Sequence, residues 1–298
     1  MASGKKVILF SGQGDQFPGM GRELYDDSKA ARAVFEGAEK IRPGTIDQIF
    51  NGSAEQLSIT MNTQPCVFCV DLAAAAAIKE AGVKADMLSG FSLGEIAALA
   101  FSGAVTYEDG FRLVCMRADF MQKASEKIDA GMTAVLKLED ENVITICDEF
   151  EDVFPVNFNC SGQVVVAGNK SSLVKLTARV KESGGRAVPL SVGGAFHSPY
   201  MAEASDAFAA ALSGFTVEKP NIPLYSNVTA QPYDTNIKQL LAKQICSPVL
   251  WRAAVENMIA AGAETFIEAG PGKTLCGLVS RISNKVSVHS YKEILNAV

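Results

Sequence analysis

A short apolar stretch, Asp86–Ser89, runs into Gly90-Phe91-Ser92-Leu93-Gly94 and from there into the helical segment Glu95–Phe101. A strand that becomes a helix within five residues must turn sharply, and the two glycines allow that turn. The turn lifts the Ser92 hydroxyl clear of the neighbouring backbone. The helix behind it aims free N–H groups, and its positive end, at any oxyanion that forms there. G-x-S-x-G alone recurs by chance, and a tight turn with a surface serine is the competing reading. The strand before it and the helix after it favour a nucleophile.

The rest of the chain continues the alternation. Val7–Phe10 reads as a buried strand, Ser11–Gly21 as a glycine-rich loop and Arg22–Ile41 as one long helix. Ser53 precedes Gln56 by three, the spacing of a helix cap. Pro65–Ala81 is a second long helix, and Thr106 caps another that runs to about Lys127. Strands alternating with helices predict parallel βαβ units with helices on both faces. From Met132 the order changes to strand Met132–Leu138, helix Asp140–Phe150, hairpin strands Val156–Cys160 and Gln163–Gly168, helix Ser171–Ser183 and strand Arg186–Leu190. That β-α-β-β-α-β order is ferredoxin-like. It predicts a subdomain over 131–192, inserted into a larger domain made of 1–130 and 193–298. The larger domain resumes with helices near 199–213, 236–245 and 249–262, a strand Thr265–Ala269 and a helix Lys273–Ser283.

Composition narrows the function classes. A chain of 298 residues, 48% hydrophobic, is long enough to bury a substantial core. Its net charge of −6 argues against a nucleic-acid binder, whose footprint should be basic. No apolar run reaches the roughly 18 residues of a membrane span, and the first residues lead straight into a strand rather than a signal peptide. The expectation is a soluble, cytoplasmic globular protein. Seven scattered cysteines do not form a disulfide framework. Cys66 and Cys69 match C-x-x-C, but they enter a helix at i, i+3 and read as small core residues. With no second such pair and no histidine nearby, a zinc site lacks ligands.

Only two histidines are present, so a histidine base for Ser92 must be His197 or His289. His197 sits in the small-residue loop Gly193-Gly194-Ala195-Phe196-His197-Ser198, which permits close approach to another site. His289 falls on what reads as an edge strand. No carboxylate is assignable to His197, so a backbone carbonyl or a side-chain amide is left to orient the ring, as in a Ser–His dyad. Arg117, charged within an apolar helical stretch, either snorkels and pairs locally or grips a carboxylate in a pocket. Gly12-Gln13-Gly14 lacks the final glycine of a dinucleotide fingerprint and the lysine of a P-loop. Its better use is to bring the Gln13 N–H near the serine turn.

Several separated motifs then combine: Gly12-Gln13-Gly14, Thr63-Gln64-Pro65, Gly90–Glu95, Arg117–Gln122, Val156–Asn159 with Gly162–Gly168, Gly194–Ser198, Gln244 with Ser247–Trp251, and Phe266–Lys273. In this order and spacing the chain resembles, over nearly its full length, the malonyl-CoA:acyl-carrier-protein transacylases of bacterial fatty-acid synthesis, relatives of polyketide-synthase acyltransferase domains. The resemblance implies an α/β-hydrolase-like core with an inserted ferredoxin-like subdomain. It implies Ser92 as the acyl-accepting nucleophile, His197 as its base, and the N–H groups of Gln13 and Leu93 as the oxyanion hole. Arg117 would pair with the free malonyl carboxylate, Gln244 would support the site, and Met121 and Asn159 would neighbour the pocket. Phe196 fits the malonyl-selective pattern. Three positions depart from the family: Phe91 replaces a usual histidine, Asp15 a common serine, and Cys160-Ser161 a usual Ser-Pro turn.

The implied reaction is a ping-pong transfer through a malonyl-serine ester to the phosphopantetheine thiol of acyl-carrier protein, with no metal or redox cofactor. The protein is expected to act as a monomer. Carrier proteins are typically acidic, so docking needs a local basic patch, for which Lys181, Arg186, Lys273, Arg281 and Lys285 are candidates. A serine hydrolase or thioesterase, a non-catalytic docking module, and a free-standing polyketide or malonate-decarboxylase transacylase are the competing readings.

Overall fold

The computed structural model describes residues 4–297. Strand β1 (Lys5–Phe10) leads into helices α1 (Arg22–Asp27), α2 (Lys29–Ile41), α3 (Thr45–Asn51), α4 (Ala54–Ser58) and α5 (Thr60–Glu80). Then come β2 (Met87–Gly90), α6 (Gly94–Phe101) and α7 (Tyr107–Ser125). The middle of the chain supplies β3 (Ala130–Leu136), α8 (Asp140–Cys147), β4 (Val153–Cys160), β5 (Gln163–Asn169), α9 (Lys170–Glu182) and β6 (Arg186–Pro189). A 3-10 turn, Pro199–Met201, opens α10 (Ala202–Leu212). The chain closes with β7 (Leu224–Tyr225), α11 (Ile237–Gln244), α12 (Trp251–Ala260), β8 (Ala263–Ala269), α13 (Thr274–Ile282), β9 (Ser287–Ser290) and α14 (Tyr291–Leu295).

Two sheets result. The larger has the order β7-β2-β1-β8-β9, and every neighbouring pair is parallel. Its central strand places Val7, Ile8, Leu9 and Phe10 wholly out of solvent, as a strand covered by helices on both faces requires. The smaller, of order β4-β5-β3-β6, is antiparallel throughout. It joins the larger layer at Val249, just before α12. The Val249 N–H donates to the Val156 carbonyl at 2.8 Å, and the Val249 carbonyl accepts from the Phe158 N–H at 3.0 Å.

Three expectations need correction. The helix read over Arg22–Ile41 is two helices, because Ser28 is extended (φ −117°, ψ 123°) and its hydroxyl caps α2 by accepting from the Ala31 N–H at 3.0 Å. The helix read from Pro65 starts five residues earlier, at Thr60. Pro65 therefore lies inside α5, one residue past the first turn and a half, where its missing N–H leaves the Met61 carbonyl without its helical partner. That extension also makes α5 long and apolar enough, by length and composition alone, to cross a membrane, although 89% of the relevant stretch is buried in the fold. The short strand β7 was not anticipated.

Candidate active site

Strands β7, β2 and β1 lie side by side, and the loops leaving their carboxyl ends carry Asn227, Ser92 and Gln13. This edge of a parallel sheet is where ligands bind. The Ser92 turn is as tight as the two glycines imply. A Cβ on Gly90 would sit 2.0 Å from the Gly94 carbonyl carbon, and one on Gly94 would sit 2.3 Å from the Phe10 carbonyl oxygen. Ser92 itself takes a left-handed φ of 55°, which costs a non-glycine residue about 1–2 kcal/mol. The surroundings hold it there. Its N–H donates to Asn227 Oδ1 at 2.8 Å, and its carbonyl accepts from the Glu95 N–H at 3.1 Å and from Gln244 Nε2 at 2.8 Å.

His197 is buried and also left-handed, with φ 61°. Its N–H donates to the Ile245 carbonyl, and its Nδ1 lies 2.8 Å from the Gln244 carbonyl. A carbonyl only accepts, so Nδ1 carries the hydrogen and Nε2 of the neutral ring is the acceptor. The Ser92 hydroxyl, 2.8 Å from Nε2, therefore donates to it. Of the two orienting groups the sequence left open, the backbone carbonyl is the one present. Burial, reinforced by the positive charge of Arg117, pulls the imidazole down to about 4 and keeps it unprotonated at neutral pH.

Arg117, on α7, is fully buried. Its Nη1 donates to Gln64 Oε1 at 2.6 Å, and its Nη2 donates to Gln244 Oε1 at 2.8 Å and to Ser92 Oγ at 3.0 Å. Its Nε has no partner, and among the described residues no carboxylate lies within ion-pair distance. Burial lowers it to about 10, so the guanidinium stays charged. A buried cation held only by neutral oxygens is electrostatically incomplete and is suited to receive an anion.

Gln13, Leu93 and Met121 line the same cavity as Ser92 and His197, a space of about 80 Å³. Among the described residues the backbone N–H groups of Gln13 and Leu93 have no acceptor in the protein. Phe91 and Phe196 form the apolar wall, with Phe91 packed on Trp251 at 5.4 Å between ring centroids. Arg117 and Gln244 lie behind Ser92 and are not part of that wall. Asn159 does not line the cavity either. Asn157 does, two residues earlier on β4, a separation of about 6–7 Å along a strand. His289 sits on the edge strand β9, away from the cluster. Larger clefts exist, one of about 440 Å³ beside Glu23 and Tyr291, but it contains no serine–histidine pair.

Glu95, Asn227, Gln64 and Tyr233 carry no role in the reading of the sequence, yet the structure gathers all four here. Glu95 is completely buried and accepts from the Tyr233 hydroxyl, the Asn227 N–H and Gln244 Nε2. A glutamate in the first turn of a wholly apolar helix was the available signal. Asn227 had none. Cys66 and Cys69 are both buried, and burial pushes the Cys66 thiol up to about 12, so they act as core residues. Among the basic candidates, Lys273 is paired with Glu293 and Arg281 donates to Gln163.

Residues 7–294 match the family model described as acyl transferase domain. The malonyl CoA-acyl carrier protein transacylase of Bacillus subtilis is 36% identical over 290 residues, covering 95% of this chain and 92% of that one. The crystal structure of the Clostridium perfringens protein of the same description superposes with a TM-score of 0.93 at 37% identity, covering 96% of this chain and 92% of the other. A malonyl-transacylase solved in complex with a type II PKS acyl-carrier protein gives a TM-score of 0.94 at 30% identity, covering 99% and 100%.

Proposed function

The chain belongs to the acyl transferase family, among the malonyl CoA-acyl carrier protein transacylases, and on that premise we propose that it moves a malonyl group from malonyl-CoA to the phosphopantetheine thiol of acyl-carrier protein, supplying fatty-acid chain elongation. One observation carries the assignment of roles. Ser92 Oγ lies at once 2.8 Å from His197 Nε2 and 3.0 Å from Arg117 Nη2, so nucleophile, base and a cation in contact with no carboxylate among the described residues meet at one atom.

In the first half-reaction Ser92 Oγ attacks the thioester carbonyl carbon and its proton passes to His197 Nε2. The oxyanion rests on the N–H groups of Gln13 and Leu93, the second at the start of α6 where the helix dipole adds to it. Collapse breaks the C–S bond, and His197 Nε2 hands its proton to the departing sulfur, so CoA leaves as the thiol and the imidazole is neutral again. In the second half-reaction the carrier thiol attacks the serine ester, His197 takes the thiol proton, and the same proton returns to Ser92 Oγ. Every bond and proton balances without a metal or redox group. Arg117 receives the malonyl carboxylate, which a neutral acetyl group lacks. Gln244 supports both His197 and Arg117, and Met121 bounds the acyl pocket. Asn159 supports that wall only indirectly, through the strand that carries Asn157.

We read the two sheets as an α/β-hydrolase-like core, 1–130 with 193–298, and a ferredoxin-like subdomain, 131–192. The β-α-β-β-α-β order with strand order β4-β5-β3-β6 supports the second part. Seven free cysteines suit the reducing cytoplasm in this reading.

Intact-protein mass spectrometry after mixing with malonyl-CoA or acetyl-CoA tests the assignment. The expected result is a malonyl adduct on the wild type, none on Ser92→Ala, and a reduced malonyl adduct on Arg117→Ala. Rapid release of free malonate from the acyl-enzyme would favour a hydrolase. Neither adduct nor acid would leave a docking module.

A further inference from the structure

Glu95 touches neither the cavity nor Ser92 Oγ, yet it lies at the root of the contacts that hold Arg117. We infer that Glu95 is a positioning residue for acyl selectivity: its acceptor-only carboxylate, with the Ser92 carbonyl beside it, sets which way the Gln244 amide points, and Gln244 in turn aims Arg117 at the substrate carboxylate. The inference rests on the reading of Arg117 as the carboxylate-binding residue.

Hydrogen-bond polarity decides the orientation of each group in this cluster. An amide side chain has a donor end and an acceptor end, and its neighbours alone decide which faces where. Glu95 Oε1 accepts from the Tyr233 hydroxyl at 2.7 Å and from the Asn227 N–H at 3.1 Å. Glu95 Oε2 accepts from Gln244 Nε2 at 2.5 Å. Nε2 also donates to the Ser92 carbonyl at 2.8 Å, and with both its hydrogens committed to acceptors Gln244 Oε1 faces the other way, where it accepts from Arg117 Nη2 at 2.8 Å. A donor placed on Glu95 would settle on Oε2, because Oε1 already faces two donors. It would then require the acceptor end of Gln244. The amide would turn over and set its NH₂ against the guanidinium, donor against donor.

The base would be spared, and of its backbone contacts the nucleophile would lose only the one from Gln244 Nε2 to the Ser92 carbonyl. His197 is held by the backbone carbonyl of Gln244, not by its side chain. The Ser92 N–H is held by Asn227 and its carbonyl keeps the Glu95 N–H. Disturbing Glu95 should therefore act on selectivity ahead of acyl chemistry, which a merely structural residue would not do.

Protonation of Glu95 does the same as substitution. Burial raises its carboxyl to about 7, against the opposing pull of its donors and of Arg117. The titratable groups facing it are Arg117 on α7 and Tyr233 ahead of α11, with His197 beyond Gln244. Arg117 titrates at about 10, Tyr233 is pushed well above its ordinary value, and His197 lies at about 4. Glu95 is the one of these four that changes charge near neutrality.

The test compares single-turnover loading from malonyl-CoA and acetyl-CoA in the wild type, Glu95→Gln and Arg117→Ala. Glu95→Gln should lower the malonyl-to-acetyl rate ratio by about tenfold or more, with acetyl loading changed by less than about threefold. In the wild type, which needs no substitution to fold, the ratio should fall between about pH 8 and about pH 6, and in Glu95→Gln it should be flat. A ratio that is unchanged in Glu95→Gln, or both rates falling together, overturns the inference while leaving Arg117 in place. A ratio preserved in Arg117→Ala overturns the reading of Arg117, and this inference with it.

Discussion

His197 works as a base because the fold prevents it from becoming an acid too early. Burial and Arg117 hold its folded pKa at about 4, whereas an exposed histidine takes its proton near 6.5. Between those values the unfolded chain binds the extra proton, so His197 withdraws stability as pH falls from 6.5 towards 4. The same shift sets the activity. Ser92 loading from acetyl-CoA, which does not draw on Arg117, should stay level from about pH 8 down to about pH 5 and fall to half near pH 4, as read by adduct formation. A half-point near 6.5 would mean the imidazole is wetter than its surroundings indicate. At this scale the sequence was legible where a local pattern announced a residue. Ser92 stood in its turn and His197 was one of two histidines. Arg117 was charged within an apolar helix, though its use stayed open until the wider resemblance was considered. Asn227 was invisible because its partner Ser92 lies 135 positions away and nothing beside Asn227 marks it.

Elements were readable wherever apolar periodicity was interrupted by a physical punctuation mark, and misread where the two disagreed. The spacing of Leu24, Ala31, Val34, Phe35 and Ala38 continues across Ser28, so periodicity ran α1 and α2 together, while the cap chemistry of Ser28 divides them. Pro65 marked a helix start that tertiary packing moved to Thr60. Strand β7, two residues long, is too short for any alternation to show. The strand–turn–helix at Ser92 was legible because its glycines have a steric cause. Gly94 packs the start of α6 directly against the end of β1, with Phe10 and Ser11 carbonyl oxygens 2.3 and 2.5 Å from where a Cβ would lie. Backbone cannot yield as a flexible side chain can, so Gly94→Ala should cost about 3 kcal/mol or more. Chemical denaturation measures this, and a loss below about 1 kcal/mol would show that β1 and α6 can separate cheaply.

The site is a property of the whole molecule, because its walls come from different layers. Ser92, Leu93 and Gln13 stand on the parallel sheet, while Met132 and Asn157 reach the cavity from the antiparallel one. Val249 fixes their separation, since the lead-in to α12 pairs with β4 and so ties the small sheet to the large layer through backbone hydrogen bonds. The next turn of chain carries Trp251, the only tryptophan, wholly buried, on a helix that packs against both β4 and β8. Its ring lies on Phe91, and Phe91 is part of the cavity wall beside Ser92. An indole so placed feels a charge or a shift in Phe91 introduced by acylation, and no second indole dilutes the signal. Malonyl-CoA should therefore change the tryptophan emission in step with the appearance of the adduct, and the change should vanish in Ser92→Ala. Emission that responds equally in Ser92→Ala would report CoA binding alone. Emission that does not respond while the adduct forms would mean that Phe91 insulates the tryptophan, and that acyl occupancy is not transmitted to the junction of the two sheets.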